Sequence, residues 1–72
     1  MGKQNHSLMI IKYIREHGSI TAMDAIREFG CMRLASRVSD LRQDGYNIES
    51  VMENGKNRNG ENVRYARYYL HE

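Results

Sequence analysis

The hydrophobic period of this chain changes at Tyr46, and that change limits the folds open to it. Before Tyr46 the apolar residues recur at helical spacing, in three segments that end at Gly18, Gly30 and Gly45. After Tyr46 apolar and polar residues alternate in two runs, as in half-buried strands. No proline occurs in the chain to interrupt either pattern. The sequence therefore predicts an α+β domain with three helices followed by a two-stranded β-hairpin.

The glycines also set the predicted bounds of the three helices. These run over about residues 5–17, 22–29 and 32–44. A glycine after each segment suits the left-handed backbone conformation that commonly ends a helix. Residues 19–21, between the first two helices, have room for one short extra strand. The chain is short enough for a single domain over residues 1–72, with its core at about 5–70.

The second helix has a capping signal at its start. Thr21 is followed three residues later by Asp24, which approximates a capping box in which each side chain binds the other residue's amide. The helical spacing predicts that this helix buries Ala25, Ile26 and Phe29. We expect a short helix with a defined beginning and one apolar face.

The apolar face of the first helix is wider than a single packing surface requires. Its members are Leu8, Met9, Ile10, Ile11, Tyr13 and Ile14. A central helix packed on two sides would explain this width. Alternatively, the Met9/Tyr13 face is left exposed and forms a homodimer.

The two strand-like runs surround nine residues without an apolar side chain, residues 54–62. Opposite residues on an antiparallel ladder point to the same face, so the turn must pair apolar residues with each other. A two-residue turn at Asn59-Gly60 would mix the faces. A three-residue loop, Arg58-Asn59-Gly60 with a left-handed Gly60, keeps them separate. It places on the inner face the pairs Ile48–Leu70, Ser50–Tyr68 and Met52–Ala66, and on the outer face Glu49–Tyr69, Val51–Arg67 and Glu53–Tyr65.

Positive charge is concentrated at this hairpin. The formal net charge of the chain is only +2, so its distribution is more informative than its sum. Residues 54–67 contain Lys56, Arg58, Arg64 and Arg67 against a single acid, Glu61. The polar stretch is therefore predicted to be a basic projection from the core, and a slack linker is the alternative.

Several classes of protein are not expected from this composition. Cys31 is the only cysteine, and the histidines are scattered, so we expect no disulfide, metal or cofactor. Cys31 is predicted to be a small buried hydrophobe at the turn between two helices. No nucleophile has a general base nearby in sequence, which argues against an enzyme. No apolar run approaches the ~18 residues of a membrane span, and no signal peptide is evident, so we expect a cytoplasmic protein.

The segment GSITAMDAIREFGCMRLASRVSDLRQDGYNIES resembles winged helix-turn-helix domains of small proteins from phages, prophages and bacterial genomes. The shared patterns are ITxxDA at the opening, FGxxRLxxR across the turn and DLRxxGYxI into the first wing strand, and the resemblance covers about residues 18–70. With Ala25 aligned to the small residue of the second helix, Gly30 lies one position later than in the standard pattern. This shift predicts a slightly different or longer turn.

The resemblance implies a transcriptional regulator or phage accessory factor that binds double-stranded DNA. The third helix would enter the major groove, the start of the second helix would face a phosphate, and the wing would contact phosphates or the minor groove. The implied DNA contacts are Thr21, Arg33, Ser36, Arg37, Gln43, Lys56, Asn57 and Arg58. Asp40 could hold Arg37 in place or accept a bond from cytosine. A winged helix that binds a protein instead of DNA is the alternative.

One arginine of the third helix is expected to act within the chain. On a helical wheel, Leu34, Val38 and Leu41 share one side, and Arg42 lies at the edge of that side. We therefore expect Arg42 to form an internal ion pair or cap and not to contact a ligand.

Overall fold

The computed structural model describes residues 6–72 as three helices and a three-stranded antiparallel sheet. In chain order the elements are α1 (His6–His17), β1 (Ile20–Thr21), α2 (Ala22–Phe29), α3 (Leu34–Gln43), β2 (Asn47–Lys56) and β3 (Asn62–His71). The predicted α+β class is confirmed, and β1 is the short extra strand predicted at residues 19–21. The predicted first residue of the first helix, Asn5, lies outside the described residues.

The sheet has the strand order β1-β3-β2, and its hairpin register is the one predicted from face parity. All six predicted pairs are present, from Glu49–Tyr69 near the core to Glu53–Tyr65. On the other edge of β3, Ile20 pairs with Tyr68 and Thr21 with Arg67. The inner face of the sheet, which carries Ile48 and Ile20, packs against the helices.

The predicted three-residue loop closes the hairpin. The amide of Asn57 donates to the carbonyl of Glu61 at 3.0 Å, and the amide of Gly60 donates to the carbonyl of Asn57 at 3.0 Å. Gly60 has a φ of 80°, a left-handed conformation that a side chain would disfavour. Because β2 continues to Lys56 and β3 begins at Asn62, only residues 57–61 of the polar stretch lie between the strands. The stretch is an ordered projection of the sheet.

A single hydrophobic core lies between the inner face of the sheet and the three helices. Its buried residues are Ile10, Ile11, Ile14, Ile20, Ala25, Cys31, Leu34, Val38, Leu41 and Ile48. The prediction that Cys31 is a buried hydrophobe is confirmed, since 4% of it is exposed. Tyr13 packs edge-on against Phe29, with ring centroids 5.8 Å apart. Helix α1 is therefore packed on two sides, as one of the two interpretations of its wide face required.

The predicted start of the third helix is wrong by two residues. Helix α3 begins at Leu34 and not at Met32, and Arg33 occupies the N-cap position without a side-chain cap hydrogen bond. The turn lengthens because Cys31 is buried in the core while Met32 and Arg33 point into solvent. This longer turn agrees with the late position of Gly30. The predicted end at Asp44 is also one residue late, because Asp44 is the C-cap.

Three residues predicted on buried faces are exposed. Ile26 is 43% exposed, Met52 55% and Leu8 58%. Helix α2 is short and directs Ala25 into the core, while Phe29 is only partly buried. Met52 is paired as predicted, but the hairpin extends beyond the helices, so nothing within residues 6–72 covers the inner face at that point.

Candidate nucleic-acid interface

The N-terminal end of α3 brings together three of the predicted base contacts. Arg33 at the N-cap is exposed, and its side chain has no hydrogen-bond or ion-pair partner within residues 6–72. Ser36 and Arg37 follow in the first turn and are half-buried. A guanidinium nitrogen of Arg37 lies 3.5 Å from a carboxylate oxygen of Asp40. Asp40 therefore holds Arg37, which was one of its two expected roles.

Gln43 lies at the opposite end of the same helix. It is the last residue of α3, about 15 Å from Arg33 along the helix axis at 1.5 Å per residue. The structure therefore does not bring Gln43 together with the cluster at the beginning of the helix. Arg42, one residue before it, donates from Nε and Nη2 to the carbonyl of Ile48 at 3.0 and 2.9 Å. Its expected internal role is confirmed.

The outer half of the hairpin, residues 54–64, carries the other predicted contacts. Lys56 donates to the side-chain oxygen of Asn62 at 2.9 Å, across the two strands. Arg58, at the tip, is exposed and has no partner in the described part of the chain. Both cations are exposed, and neither is in an ion pair within residues 6–72.

Asn57 has a structural role in the turn. Its side-chain oxygen accepts hydrogen bonds from the amides of Asn59 at 2.9 Å and Glu61 at 3.0 Å. Its side-chain nitrogen donates to the carboxylate of Glu61 at 2.9 Å. Because these bonds occupy the amide group, Asn57 shapes the tip that presents Arg58. A direct DNA contact of Asn57 stays a prediction.

Sequence reasoning did not single out Arg64 as a contact residue. Arg64 lies on β3 opposite Asn54, two positions along the strand from the Lys56–Asn62 pair. Alternate residues of a strand share a face, so Arg64 and Asn62 are on the same side, together with Lys56. Arg64 is exposed, and its side chain has no hydrogen-bond or ion-pair partner within residues 6–72. The predicted register could have identified Arg64 as a contact residue, because it assigns Arg64 to the inner face, together with Lys56.

The remaining arginines are engaged inside the fold. Arg15 pairs with Glu72, and Arg27 with Asp24 and Glu28. Arg67 donates to Glu53 at 2.9 Å and to the hydroxyl of Ser19 at 3.0 Å. The hydrogen bond to Glu53 raises the pKa of Arg67 above its ordinary value. Together with Arg42 and Arg37, these residues leave three arginines without a partner in the described chain, namely Arg33, Arg58 and Arg64.

The beginning of α2 is closed by the predicted capping box. The amide of Thr21 donates to the carboxylate of Asp24 at 3.0 Å, and the hydroxyl of Thr21 accepts from the amide of Asp24 at 3.2 Å. Burial alone would raise the pKa of Asp24, but the bonds from Thr21 and Arg27 lower it below its ordinary value. Thr21 is only 7% exposed. Its role as N-cap is confirmed, and its phosphate contact stays a prediction.

Two grooves adjoin the unpaired arginines. One, of about 410 Å³, lies between the start of α3 and the sheet, and its lining includes Met32, Arg33, Ala35, Ala66 and Tyr68. The other, of about 550 Å³, lies between the start of α2 and the outer half of the hairpin, and its lining includes Met23, Lys56, Val63, Arg64 and Tyr65. The basic groups of α3 and of the hairpin therefore border two neighbouring concave surfaces.

Two expected absences can be compared with the described residues. Within residues 6–72, no group of three or more histidine, cysteine, aspartate or glutamate side chains is arranged to hold a metal ion. None of the helices in that range is both long and apolar enough to cross a membrane.

Residues 5–72 match the family model described as a winged helix-turn-helix domain. The match spans the three helices and the complete hairpin. The chain belongs to the winged helix-turn-helix family. Comparisons with curated proteins and with solved structures gave no significant match.

Family membership gives each element of the fold its usual designation. Helices α2 and α3 form the helix-turn-helix, with α3 in the position of the recognition helix, and the β2–β3 hairpin is the wing. The family is of the DNA-binding regulator type. The outer half of this wing, residues 54–64, carries two of the three unpaired arginines, Arg58 and Arg64.

Proposed function

We propose that this protein binds duplex DNA with the beginning of α3 in the major groove and the wing on the backbone or in the minor groove. The observation that supports this most strongly is the distribution of unpaired arginines. Arg33 lies at the start of the recognition helix, and Arg58 and Arg64 lie on the wing. Arginines elsewhere in the described chain are used within the fold, so these three are free for an external anion.

The chemistry of these groups fits DNA. Arg33 and Arg37 can donate two parallel hydrogen bonds to guanine, whereas Ser36 and Gln43 can bond to other base edges. Lys56 and Arg58 suit phosphates, or a narrow minor groove in the case of Arg58. Helix α3 is about 15 Å long at 1.5 Å per residue, and a major groove about 12 Å wide admits a helix.

The start of α2 offers a further phosphate contact. A helix leaves its first four amides without an intrahelical partner, and the capping box uses those of Thr21 and Asp24. The amides of Ala22 and Met23 are the other two. They adjoin the groove that also contains Lys56, so a DNA phosphate could lie between the α2 terminus and the wing.

We further propose a role as a transcriptional regulator or accessory factor of the phage or prophage kind, acting in the bacterial cytoplasm and without catalysis. A single small domain buries a limited surface on DNA, which favours a dimer or tandem sites. The ring of Tyr13 packs edge-on against that of Phe29. Met9 and Tyr13 nevertheless also line an open groove of about 270 Å³ between α1 and α2. That Met9/Tyr13 face is the proposed dimer contact.

Duplex binding measured over a range of salt concentrations tests the proposal. We expect affinity to fall steeply with salt, because bound cations release counterions from DNA. Arg58→Ala should weaken binding and lower the salt slope by about 1. Arg15→Ala is the matched control, since it also removes one positive charge but from an exposed pair with Glu72, and it should change neither quantity appreciably.

Two results would contradict the proposal. One is the absence of binding to any duplex at low salt, which would favour a protein-interaction module. The other is an equal loss of affinity in Arg58→Ala and Arg15→Ala, which would show that only the overall charge matters.

A further inference from the structure

We infer that Met32 contacts thymine methyl groups, with Ala35 beside it, so that the DNA sites of this protein carry thymine next to the bases read by Arg33. The inference rests on the proposed function and goes further by naming the base. It assigns a specificity role to a residue in the turn, outside both the recognition helix and the wing.

The position of Met32 supports this role. Met32 is 80% exposed and lies two residues before the first residue of α3. Residues at the N-terminal end of a recognition helix are the ones that contact base edges in helix-turn-helix proteins. An exposed apolar side chain is common on protein surfaces and by itself indicates nothing. Here it is adjacent in sequence to an unpaired arginine at the end that would enter the groove.

The surroundings of Met32 are also apolar. It lines the 410 Å³ groove together with Ala35, Ala66 and Tyr68. Ala35 is exposed although it follows the buried Leu34. Arg33 and Ser36 also line the groove and can donate hydrogen bonds, but most of its exposed lining is apolar, so a base edge beside Met32 and Ala35 should present an apolar group.

The chemistry of the major groove identifies that group. Among the four bases, only thymine carries a methyl group on its major-groove edge, and alanine and other apolar side chains pack against it. Met32 is flexible and can adapt to a small apolar group. A duplex in which Arg33 binds a guanine should therefore bind more tightly when a thymine places its methyl group against Met32 and Ala35.

Replacement of thymine by deoxyuridine tests the inference, because it removes the methyl group and keeps the base pair. The probe is the duplex that the protein selects most strongly from a random pool, remade with deoxyuridine at one thymine at a time. We expect one or two positions at which binding weakens about fourfold, the equilibrium effect of one buried methyl group. The other thymines should show no effect.

Variants connect those positions to Met32. In Met32→Ala the loss caused by deoxyuridine should fall to less than about 1.5-fold, because the side chain that covers the methyl is gone. Met32→Leu should preserve the effect. Met52→Ala is the matched control, since Met52 is 55% exposed but lies in β2 outside residues 54–64 and has no assigned DNA contact. Its response to deoxyuridine should equal that of the wild type.

The outcomes separate this inference from the proposed function. A selected duplex that tolerates deoxyuridine at every thymine would overturn the thymine contact and leave DNA binding intact. An undiminished response to deoxyuridine in Met32→Ala would assign the methyl contact to another residue. Failure to select any duplex would refute DNA binding and the thymine contact together.

Discussion

The two halves of the β2–β3 hairpin use arginine in opposite ways. In the inner half, next to the helices, Arg42 donates to the carbonyl of Ile48 and Arg67 bonds to Glu53 and Ser19. In the outer half, Arg58 and Arg64 have no partner within residues 6–72. Arginines that contact the inner half of the hairpin therefore build the fold, whereas those on its outer half remain free for a ligand.

The outer half is ordered without a core. Its turn is held by the side chain of Asn57 and by the left-handed Gly60. Further along, the ring of Tyr65 lies over Gly55 so closely that a Cβ there would be 2.9 Å from Cε2 of the ring. Because these interactions are local, the charges of the outer half contribute little to stability. They can be changed without unfolding the domain.

Removal of the three outer cations should have the largest effect. We expect the triple variant Lys56→Ala/Arg58→Ala/Arg64→Ala to lose at least about 100-fold in DNA affinity, since each charge-assisted hydrogen bond is worth about 1.5–3 kcal/mol before compensation. The salt slope should fall by about 3. Fluorescence anisotropy with a labelled duplex measures both quantities. A melting temperature within a few degrees of the wild type would show that the fold is intact.

Substitution of Arg42, which donates from α3 to the inner half of the hairpin, should affect stability and spare binding. Arg42→Met keeps most of the side-chain volume but removes both hydrogen bonds to Ile48. We expect a loss of about 2 kcal/mol in the free energy of unfolding, measured by urea denaturation. DNA affinity per folded molecule should stay within about twofold. A stable Arg42→Met variant that no longer binds DNA would assign Arg42 to the interface instead.

Loss of the Asn57 side chain should loosen the outer half alone. Asn57→Ala removes two accepted hydrogen bonds and one donated bond in the turn, which we expect to cost about 1 kcal/mol. Amide hydrogen exchange should accelerate over residues 54–64 and remain unchanged at Ile48 and Leu70. Asn54→Ala is the control, because Asn54 is exposed in β2. Equal acceleration in both variants would contradict the assigned role of Asn57.

Disruption of the capping box, which lies away from the hairpin, should have the smallest effect on the free energy of unfolding. That effect should depend on pH. The pKa of Asp24 in the folded protein is below its ordinary value of 3.8. Its stabilisation is therefore present above pH 3.8 and is lost as the pH falls through the folded-state pKa. Asp24→Asn should cost about 0.5–1 kcal/mol at pH 7 and show a weaker loss of stability with acid. Identical acid unfolding of the two proteins would refute this role.

The hairpin register could be predicted because two independent constraints agree. The alternation of Ile48, Tyr68 and Leu70 fixes which residues share a face, and Gly60 supplies the one position that tolerates a left-handed turn. The capping box at Thr21 was equally accessible, because its two partners are three residues apart. Patterns of this kind are set by residue type and spacing along the chain, so they can be recognised in the sequence without knowledge of tertiary contacts.

Other features depend on tertiary contacts and were not predictable from local patterns. Met32 and Arg33 suit a helix, and only the burial of Cys31 keeps them in the turn. The exposure of Met52 follows from where the helices end beneath the sheet. The role of Asn57 required the positions of three backbone and side-chain groups. Arg64 is different, since the predicted register already placed it on the inner face of the hairpin, the same face as Lys56.

Nuclear magnetic resonance of the arginine side chains tests the central claim most directly. The Nε–H signals of Arg33, Arg58 and Arg64 should shift when duplex DNA is added, because these guanidinium groups are free to bind it. Those of Arg42 and Arg67 should stay in place, because their partners are internal. Shifts of the Arg42 and Arg67 signals, with those of the three unpaired arginines unchanged, would contradict the account.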